Sequence, residues 1–90
     1  MKVLYNYKFW NENWGDKIIV SYVLINTNPD KEHKIYNQLV DESKIVELRP
    51  LFREYDLIAK VKFDTKEKLG YFISNKIRTI DGVIDTKVLQ

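Results

Sequence analysis

A nine-residue alternation from Tyr55 to Phe63 limits the folds open to this chain more than any other feature. Apolar side chains occupy every second position, namely Tyr55, Leu57, Ala59, Val61 and Phe63. The positions between them carry Asp56, Ile58, Lys60 and Lys62. Successive side chains of a strand point to opposite faces, so the pattern predicts a strand with one buried face. We expect this strand to begin near Arg53.

The period changes at Asp64, where a helix is predicted to begin. Asp64 is an N-cap residue type, and Glu67 three positions later completes a capping-box pattern. Apolar residues then recur at helical spacing, at Leu69, Phe72, Ile73, Ile77 and Ile80. Asp81-Gly82 supplies a turn that ends the helix, and a last strand is predicted from Val83 to Leu89.

The first half of the chain repeats this unit. A β-branched and aromatic run from Lys17 to Asn26 predicts a strand, and Asn28-Pro29-Asp30 offers an N-cap, a proline at the first helical position and an acid. A helical stripe follows at Ile35, Tyr36, Leu39 and Val40, and Lys44 to Arg49 returns as a short strand. Two such halves predict an α+β, ferredoxin-like βαββαβ fold, with a four-stranded antiparallel sheet and both helices on one face.

Composition restricts the class of protein. Ninety residues suffice for one small domain, and the absence of cysteine excludes disulfides and thiolate metal sites. The sequence has no apolar run of about 18 residues and no signal-like apolar core, so we expect a cytoplasmic protein that does not enter membranes. The net charge of +2 comes from dispersed lysines, which does not favour direct nucleic-acid binding. Abundant Lys, Glu and Ile suit an archaeal or thermophilic source, although genomic nucleotide bias produces the same composition.

The first predicted strand is apolar on both faces. Ile18, Val20, Tyr22 and Leu24 alternate with Ile19, Val23 and Ile25, whereas helices on one side cover only one face. Burying apolar surface stabilises by roughly 25 cal/mol per Å². We therefore expect a two-fold homodimer with the sheets packed face to face, a dimeric αβ sandwich. A central strand that is merely rich in apolar residues is the alternative.

Residues 1–16 are predicted to form an N-terminal arm ahead of the domain at 17–90. Val3, Tyr5, Tyr7 and Phe9 alternate with more polar positions, which predicts an extra strand. An isolated strand is unstable, so it would pair with a sheet edge of its own chain or of a partner. Stacking of the aromatic side chains on single-stranded nucleic acid is the less favoured interpretation.

Several of these segments together resemble the effector-binding module (RAM domain) of the Lrp/AsnC transcription regulators. The resemblance runs from about Lys17 to Leu89, and its motifs are Ser21 to Ile25, Tyr55 to Val61, Leu69 to Ile73, and Ile77 to Val83 with Thr86. It implies dimers that assemble into larger oligomers and bind small amino acids between dimers. Sixteen residues before Lys17 are too few for the family's helix-turn-helix domain, so the chain resembles the stand-alone members. The arm is then a counterpart of the family's linker strand.

The resemblance nominates Arg53, Glu54, Tyr55, Asp56 and Thr86 as ligand-binding residues. Asp56 would take the ammonium group of an amino acid, or would cap a turn. Arg53 stands where the family usually has glycine, and it would either bind the ligand carboxylate or block the pocket. Tyr55 would wall the ligand or join the core, and Thr86 would reach a neighbouring subunit's ligand or be an ordinary strand threonine.

Catalytic and metal-binding constellations are not expected. His33 is the only histidine and falls on the polar side of the first helix, and Gly15, Gly70 and Gly82 form no phosphate-binding loop. Gly70 is interpreted as permitting close helix packing. The leading interpretation is an amino-acid-sensing oligomerisation module that needs no cofactor and acts on a full-length regulator of the same family. The alternatives are a purely structural oligomer and a small dimeric αβ-barrel enzyme.

Overall fold

A computed structural model describes residues 18–89. The strands are β1 (Ile19–Thr27), β2 (Ile45–Pro50), β3 (Leu57–Phe63) and β4 (Val83–Leu89). The helices are α1 (Glu32–Val40), preceded by a 3₁₀ turn at Pro29–Lys31, and α2 (Lys66–Phe72), which continues as a π-helical segment at Ile73–Ile77. The predicted N-terminal arm lies outside the described residues.

The four strands form one antiparallel sheet in the order β2-β3-β1-β4. In β1 the residue pairs run from Ile19 opposite Phe63 to Ile25 opposite Leu57. The element order and the sheet confirm the predicted ferredoxin-like α+β fold. The two central strands are β1 and β3, because each βαβ half places its first strand inside the sheet.

The core lies between one sheet face and the two helices. Its fully or nearly fully buried members alternate along the central strands and recur at helical spacing along α1 and α2: Val23, Ile25, Ile35, Leu39, Leu57, Ala59, Val61, Phe63, Leu69, Phe72, Ile73 and Ile77. The rings of Phe63 and Phe72 pack with centroids 5.2 Å apart. One buried group is unsatisfied, because the Ser21 hydroxyl on this face has no hydrogen-bond partner among residues 18–89.

The two helix starts differ from the sequence prediction in one respect. Asn28 caps as expected, because its side-chain oxygen accepts a hydrogen bond from the Asp30 amide at 3.0 Å. The second cap is Thr65, not Asp64, since the Thr65 hydroxyl accepts from the Lys68 amide at 3.1 Å. The Asp64 carboxylate instead pairs with the Lys68 ammonium group at 3.2 Å. The cap therefore shifts by one residue because the side chain one position later reaches the free amide.

The turn after α2 holds the two halves of the fold together. Gly82 has a φ of +100°, which favours glycine, and its carbonyl accepts a hydrogen bond from the Asn28 amide at 2.7 Å. The neighbouring Asp81 carboxylate forms an ion pair with Lys31. The turn was predicted correctly, and the structure adds that it rests on the start of the first helical segment.

Gly70 does not have the close-packing role that the sequence suggested. It is exposed, and a Cβ at this position would meet no atom within 4 Å. Contacts within residues 18–89 therefore do not require a glycine at this position.

The sheet face opposite the helices, which we call the open face, carries both apolar and charged side chains. β1 presents Val20, Tyr22 and Leu24 there, and Val20 and Tyr22 are exposed. β3 places Lys60 opposite Tyr22 and Lys62 opposite Val20 in register. The prediction that β1 is apolar on both faces is confirmed, whereas its neighbour β3 contributes charged side chains to the open face.

The Lys31–Asp81 ion pair is expected to make the stability of the folded protein depend on pH in the acidic range. The hydrogen bond from Lys31 and its positive charge hold the pKa of Asp81 below its usual value of 3.8. The ionised carboxylate therefore contributes stability above the usual pKa, and this contribution is lost as the pH falls through the lowered pKa of the folded state. We expect Asp81→Asn to flatten the decline of the urea midpoint between the usual pKa of aspartate and the lowered pKa of Asp81. Asp41→Asn, at an exposed acid without an ion pair among residues 18–89, is the control; equal slopes in the two variants would contradict the expectation.

Candidate functional site

The candidate site lies in the connection between β2 and β3. The predicted strand from Arg53 is wrong at its start, since β3 begins at Leu57 and residues 51–56 form a turn. The Leu51 amide donates to the Asp56 carbonyl at 2.8 Å and closes the turn. The Asp56 amide in turn donates to the Ile25 carbonyl at 2.9 Å. These bonds anchor the turn to the end of β1, while Phe52, Arg53 and Glu54 remain exposed.

Asp56 has a structural contact through one carboxylate oxygen. Its Oδ2 accepts a hydrogen bond from the Thr27 amide at 2.7 Å, and the Thr27 hydroxyl lies 3.4 Å away. Thr27 is buried and lies just beyond the last residue pair between β1 and β3, Ile25 opposite Leu57. A carboxylate acceptor satisfies an amide that the end of this pairing would leave without a partner. The other oxygen, Oδ1, accepts no hydrogen bond from residues 18–89.

An open cavity of about 640 Å³ lies beside this turn. It is lined by Leu24, Leu51, Arg53, Glu54 and Tyr55. Leu24 and Leu51 supply an apolar wall, and Tyr55 is half-buried. Neither Arg53 nor Glu54 forms an ion pair with another described residue, so both charges face the solvent at the cavity rim. The structure thus brings three of the five candidate residues to one cavity, with Asp56 directly adjacent in sequence. We call this the turn cavity.

Thr86 is not part of the turn cavity of its own chain. It lies in β4 opposite Ile25, whereas Asp56 binds β1 from the side of β3. β1 therefore separates the two residues. The prediction that Thr86 reaches a neighbouring subunit's ligand stays a prediction.

A second cavity, of about 430 Å³, lies on the open face of the sheet and shares Leu51 with the turn cavity. Glu47 and Arg49 form an ion pair at its side, and the Lys60 ammonium group lies 5.9 Å from the centroid of the Tyr22 ring. These charged residues were not predicted as neighbours of the site. Strand alternation indicates which positions of β2 and β3 are polar, but it does not set which of them lie next to each other.

Residues 18–89 contain no cluster of three or more histidine, aspartate or glutamate side chains that could hold a metal ion. His33 is exposed on α1. None of the described helices has the length and hydropathy needed to cross a membrane.

Comparison with solved structures assigns the chain to a family. No model of a protein family and no curated protein matches the sequence. The crystal structure of FFRP-DM1 matches with 31% sequence identity and a TM-score of 0.75, over 78% of this chain and 93% of FFRP-DM1. The chain belongs to the family of FFRP-DM1. The match spans nearly the whole of FFRP-DM1.

Transcription regulators share the fold of the FFRP-DM1 family at lower identity. AsnC from E. coli matches with a TM-score of 0.76 and 17% identity, over 96% of this chain and 59% of AsnC. The regulator NMB0573 from Neisseria meningitidis, in a complex with L-Met, matches with a TM-score of 0.76 and 11% identity, over 96% of this chain and 58% of NMB0573. The chain thus spans a little over half of each regulator. At these identities the likeness shows a common fold.

Proposed function

We propose that this protein is a sensing and assembly module of the Lrp/AsnC type, which binds a small amino acid and couples binding to oligomerisation. The observation that carries the proposal is the turn cavity, where a guanidinium group and a carboxylate, neither paired within residues 18–89, border an apolar wall. The fold shared with AsnC, and with NMB0573 in its complex with L-Met, supports the class of ligand.

The lining of the turn cavity suits the three parts of an amino acid. The Arg53 guanidinium group can bind a carboxylate through two parallel hydrogen bonds. The ligand ammonium group would bind Glu54 or the Oδ1 atom of Asp56, whose Oδ2 is held by Thr27. Leu24, Leu51 and Tyr55 would contact an apolar side chain. In this proposal Arg53 binds the ligand and does not block the cavity.

Assembly would complete the site. Leu24 belongs both to the turn cavity and to the open sheet face, where Val20 and Tyr22 are exposed. A two-fold dimer that covers this face would bury apolar surface and bring a second chain to the cavity rim. Thr86 of a further subunit would then contact the ligand. A ligand bound at such a junction favours the assembled form by its differential affinity for the two states.

The proposed target is a full-length regulator of the Lrp/AsnC type, which would form mixed oligomers with this chain. Mixed oligomers would change the number of DNA-binding arms in the assembly. Co-purification of the tagged chain from native cells tests this step. Recovery of the chain without any helix-turn-helix protein would contradict the regulatory part of the proposal. It would not bear on ligand binding, which the thermal-unfolding experiment tests separately.

Arg53 offers the sharpest test of ligand binding. Thermal unfolding of the purified protein is measured with each of the twenty amino acids at millimolar concentration. A ligand present at about 100 times its Kd adds about 2.7 kcal/mol to the free energy of unfolding. We expect one amino acid or a chemically related set to raise the Tm, and Arg53→Gln to abolish that rise.

Arg78→Gln is the matched control, because it makes the same change of charge at an exposed arginine outside the turn cavity. We expect Arg78→Gln to keep the ligand-induced rise in Tm. An equal loss in both variants would show that charge alone, and not Arg53, governs the effect.

A purely structural oligomer is the second candidate, and the bond between Asp56 and Thr27 favours it, since this carboxylate already has a structural partner. The two candidates predict different results when thermal unfolding is measured with the twenty amino acids. No change in Tm with any amino acid, together with a stable oligomer in solution, would support the structural oligomer and contradict amino-acid sensing.

A further inference from the structure

β4 forms one edge of the sheet, and its outer side faces no other strand within residues 18–89. The stretch from Asp85 to Leu89 pairs with β1 without a register shift. Backbone amide and carbonyl groups on the outer side of such a strand are free to pair with a further strand. The opposite edge, β2, is less suited to pairing, because its register shifts after Ile45 and it ends at Pro50.

The exposed side chains of β4 include one acid and one base at matched positions. Lys87 lies opposite Leu24 of the open face, and Asp85 shares that face by strand alternation. Both are exposed, and neither belongs to an ion pair among residues 18–89. Thr86 between them lies opposite the buried Ile25, so its side chain is on the helix side. The two charges are therefore placed symmetrically about Thr86.

This placement makes β4 complementary to a second copy of itself. In an antiparallel pair of identical strands related by a two-fold axis, side chains directly opposite each other share one face. With the axis at Thr86, Asp85 of each copy lies opposite Lys87 of the other, which is an attractive pair. Moving the axis by one residue places either two Asp85 or two Lys87 side chains opposite each other, which is destabilising. The charges therefore favour the register centred on Thr86.

We infer that two copies of this chain pair antiparallel along β4, with the two-fold axis at Thr86, so that two four-stranded sheets join edge to edge. The contact uses the same strand of both copies, so it closes a pair and does not grow into a fibre. Lys87 would oppose edge pairing with an unrelated strand, whereas here it meets Asp85. Edge pairing covers neither face of the sheet, and the inference does not depend on the proposed ligand.

A disulfide at the two-fold axis tests the pairing, because the chain has no cysteine of its own. Opposite residues of an antiparallel pair have Cβ atoms about 4.5–5.5 Å apart, close to the span of a disulfide. We expect the full-length Thr86→Cys variant to form a disulfide-linked dimer under mild oxidation. Ile84→Cys is the matched control, because Ile84 is an exposed residue of the same strand. Its two copies would lie about 13 Å apart in this register, which is too far for a disulfide.

Charge reversal tests the register. Added to Thr86→Cys, Asp85→Lys places lysines opposite lysines, and Lys87→Asp places acids opposite acids. We expect each reversal to lower the yield of disulfide-linked dimer several-fold, with an unchanged circular dichroism spectrum. Mixing the two variants should restore the yield, because every opposite pair then joins a base to an acid. Asp41→Lys makes the same change at an exposed residue outside β4, and it should leave the yield unchanged.

Three results would overturn the inference. Equal yields from Thr86→Cys and Ile84→Cys would show that the cysteines meet by random collision. The absence of a disulfide-linked dimer from Thr86→Cys would show that the β4 edges do not pair with each other. Failure of the mixed reversal variants to regain the yield would exclude the register centred on Thr86.

Discussion

Gly82→Ala is expected to destabilise the protein by about 2–5 kcal/mol. A residue with a Cβ in the left-handed region costs about 1–2 kcal/mol, and overpacking adds about 1–3 kcal/mol. Both costs apply to alanine at position 82. The φ of Gly82 is +100°, and an added Cβ would lie 2.5 Å from the Lys31 Cβ and 3.1 Å from the Ile35 Cδ1. Ile35 is fully buried, so it has no free space into which to move. Equilibrium urea unfolding measures the loss.

Gly70→Ala provides the matched control for the same chemical change. Gly70 lies in α2, and a methyl group added to its Cα would have no neighbouring atom within 4 Å. Alanine is therefore expected to stabilise the helix by about 0.5–1 kcal/mol. The two variants should shift the urea midpoint in opposite directions. Destabilisation by Gly70→Ala would show that its exposed surface is covered in the assembled protein. A stable Gly82→Ala variant would show that the turn can change its backbone conformation.

Leu39→Ala is expected to lower the free energy of unfolding by about 2–5 kcal/mol, as other buried leucine truncations do. Leu39 has no exposed surface, and it packs from α1 into the single core of this small domain. A chain of ninety residues buries limited apolar area, so the loss is a large part of its total stability. The urea midpoint, or the Tm where the folded population is small, reports the effect.

Val40→Ala is the control on the neighbouring residue. The sequence prediction placed Val40 in the apolar stripe of α1, but its side chain is 51% exposed, so the prediction is wrong for this residue. Alanine also has the higher helix propensity. We expect a change within about 0.5 kcal/mol, which is usual for surface substitutions. A large loss in Val40→Ala would contradict the exposure of this face of α1, or would place Val40 in an interface between subunits.

The fold was predictable because the residues that build it act locally. The alternation from Leu57 to Phe63 and the helical stripe from Leu69 to Ile77 both follow from the periods of strand and helix, and the structure buries the expected side chains. Gly82 was predictable for the same reason, since few residues other than glycine adopt its φ. The errors at helix and strand starts were small. At the start of α2 the error arose because Thr65 caps the helix in place of Asp64.

The candidate site was predictable only in part. The resemblance placed Arg53, Glu54 and Tyr55 together, and the structure shows them around one cavity. The bond between Asp56 and Thr27 joins residues 29 positions apart, and no local pattern encodes such a contact. Glu47 and Lys60 become neighbours through the register of β2 and β3, which includes a shift between Ile45 and Glu47. A one-residue shift changes the face on which each side chain lies, so sequence alone does not set it.

Local sequence patterns were sufficient to predict the order of strands and helices, most of the side chains that become buried, and the turn at Gly82. These features depend on the spacing of apolar residues and on backbone conformation within a few positions. The folded structure was needed to establish which charged residues lie together on the open face, where the turn cavity forms, and that Gly70 faces open space. These features depend on contacts between residues distant in the chain, and sheet register and helix packing set those contacts.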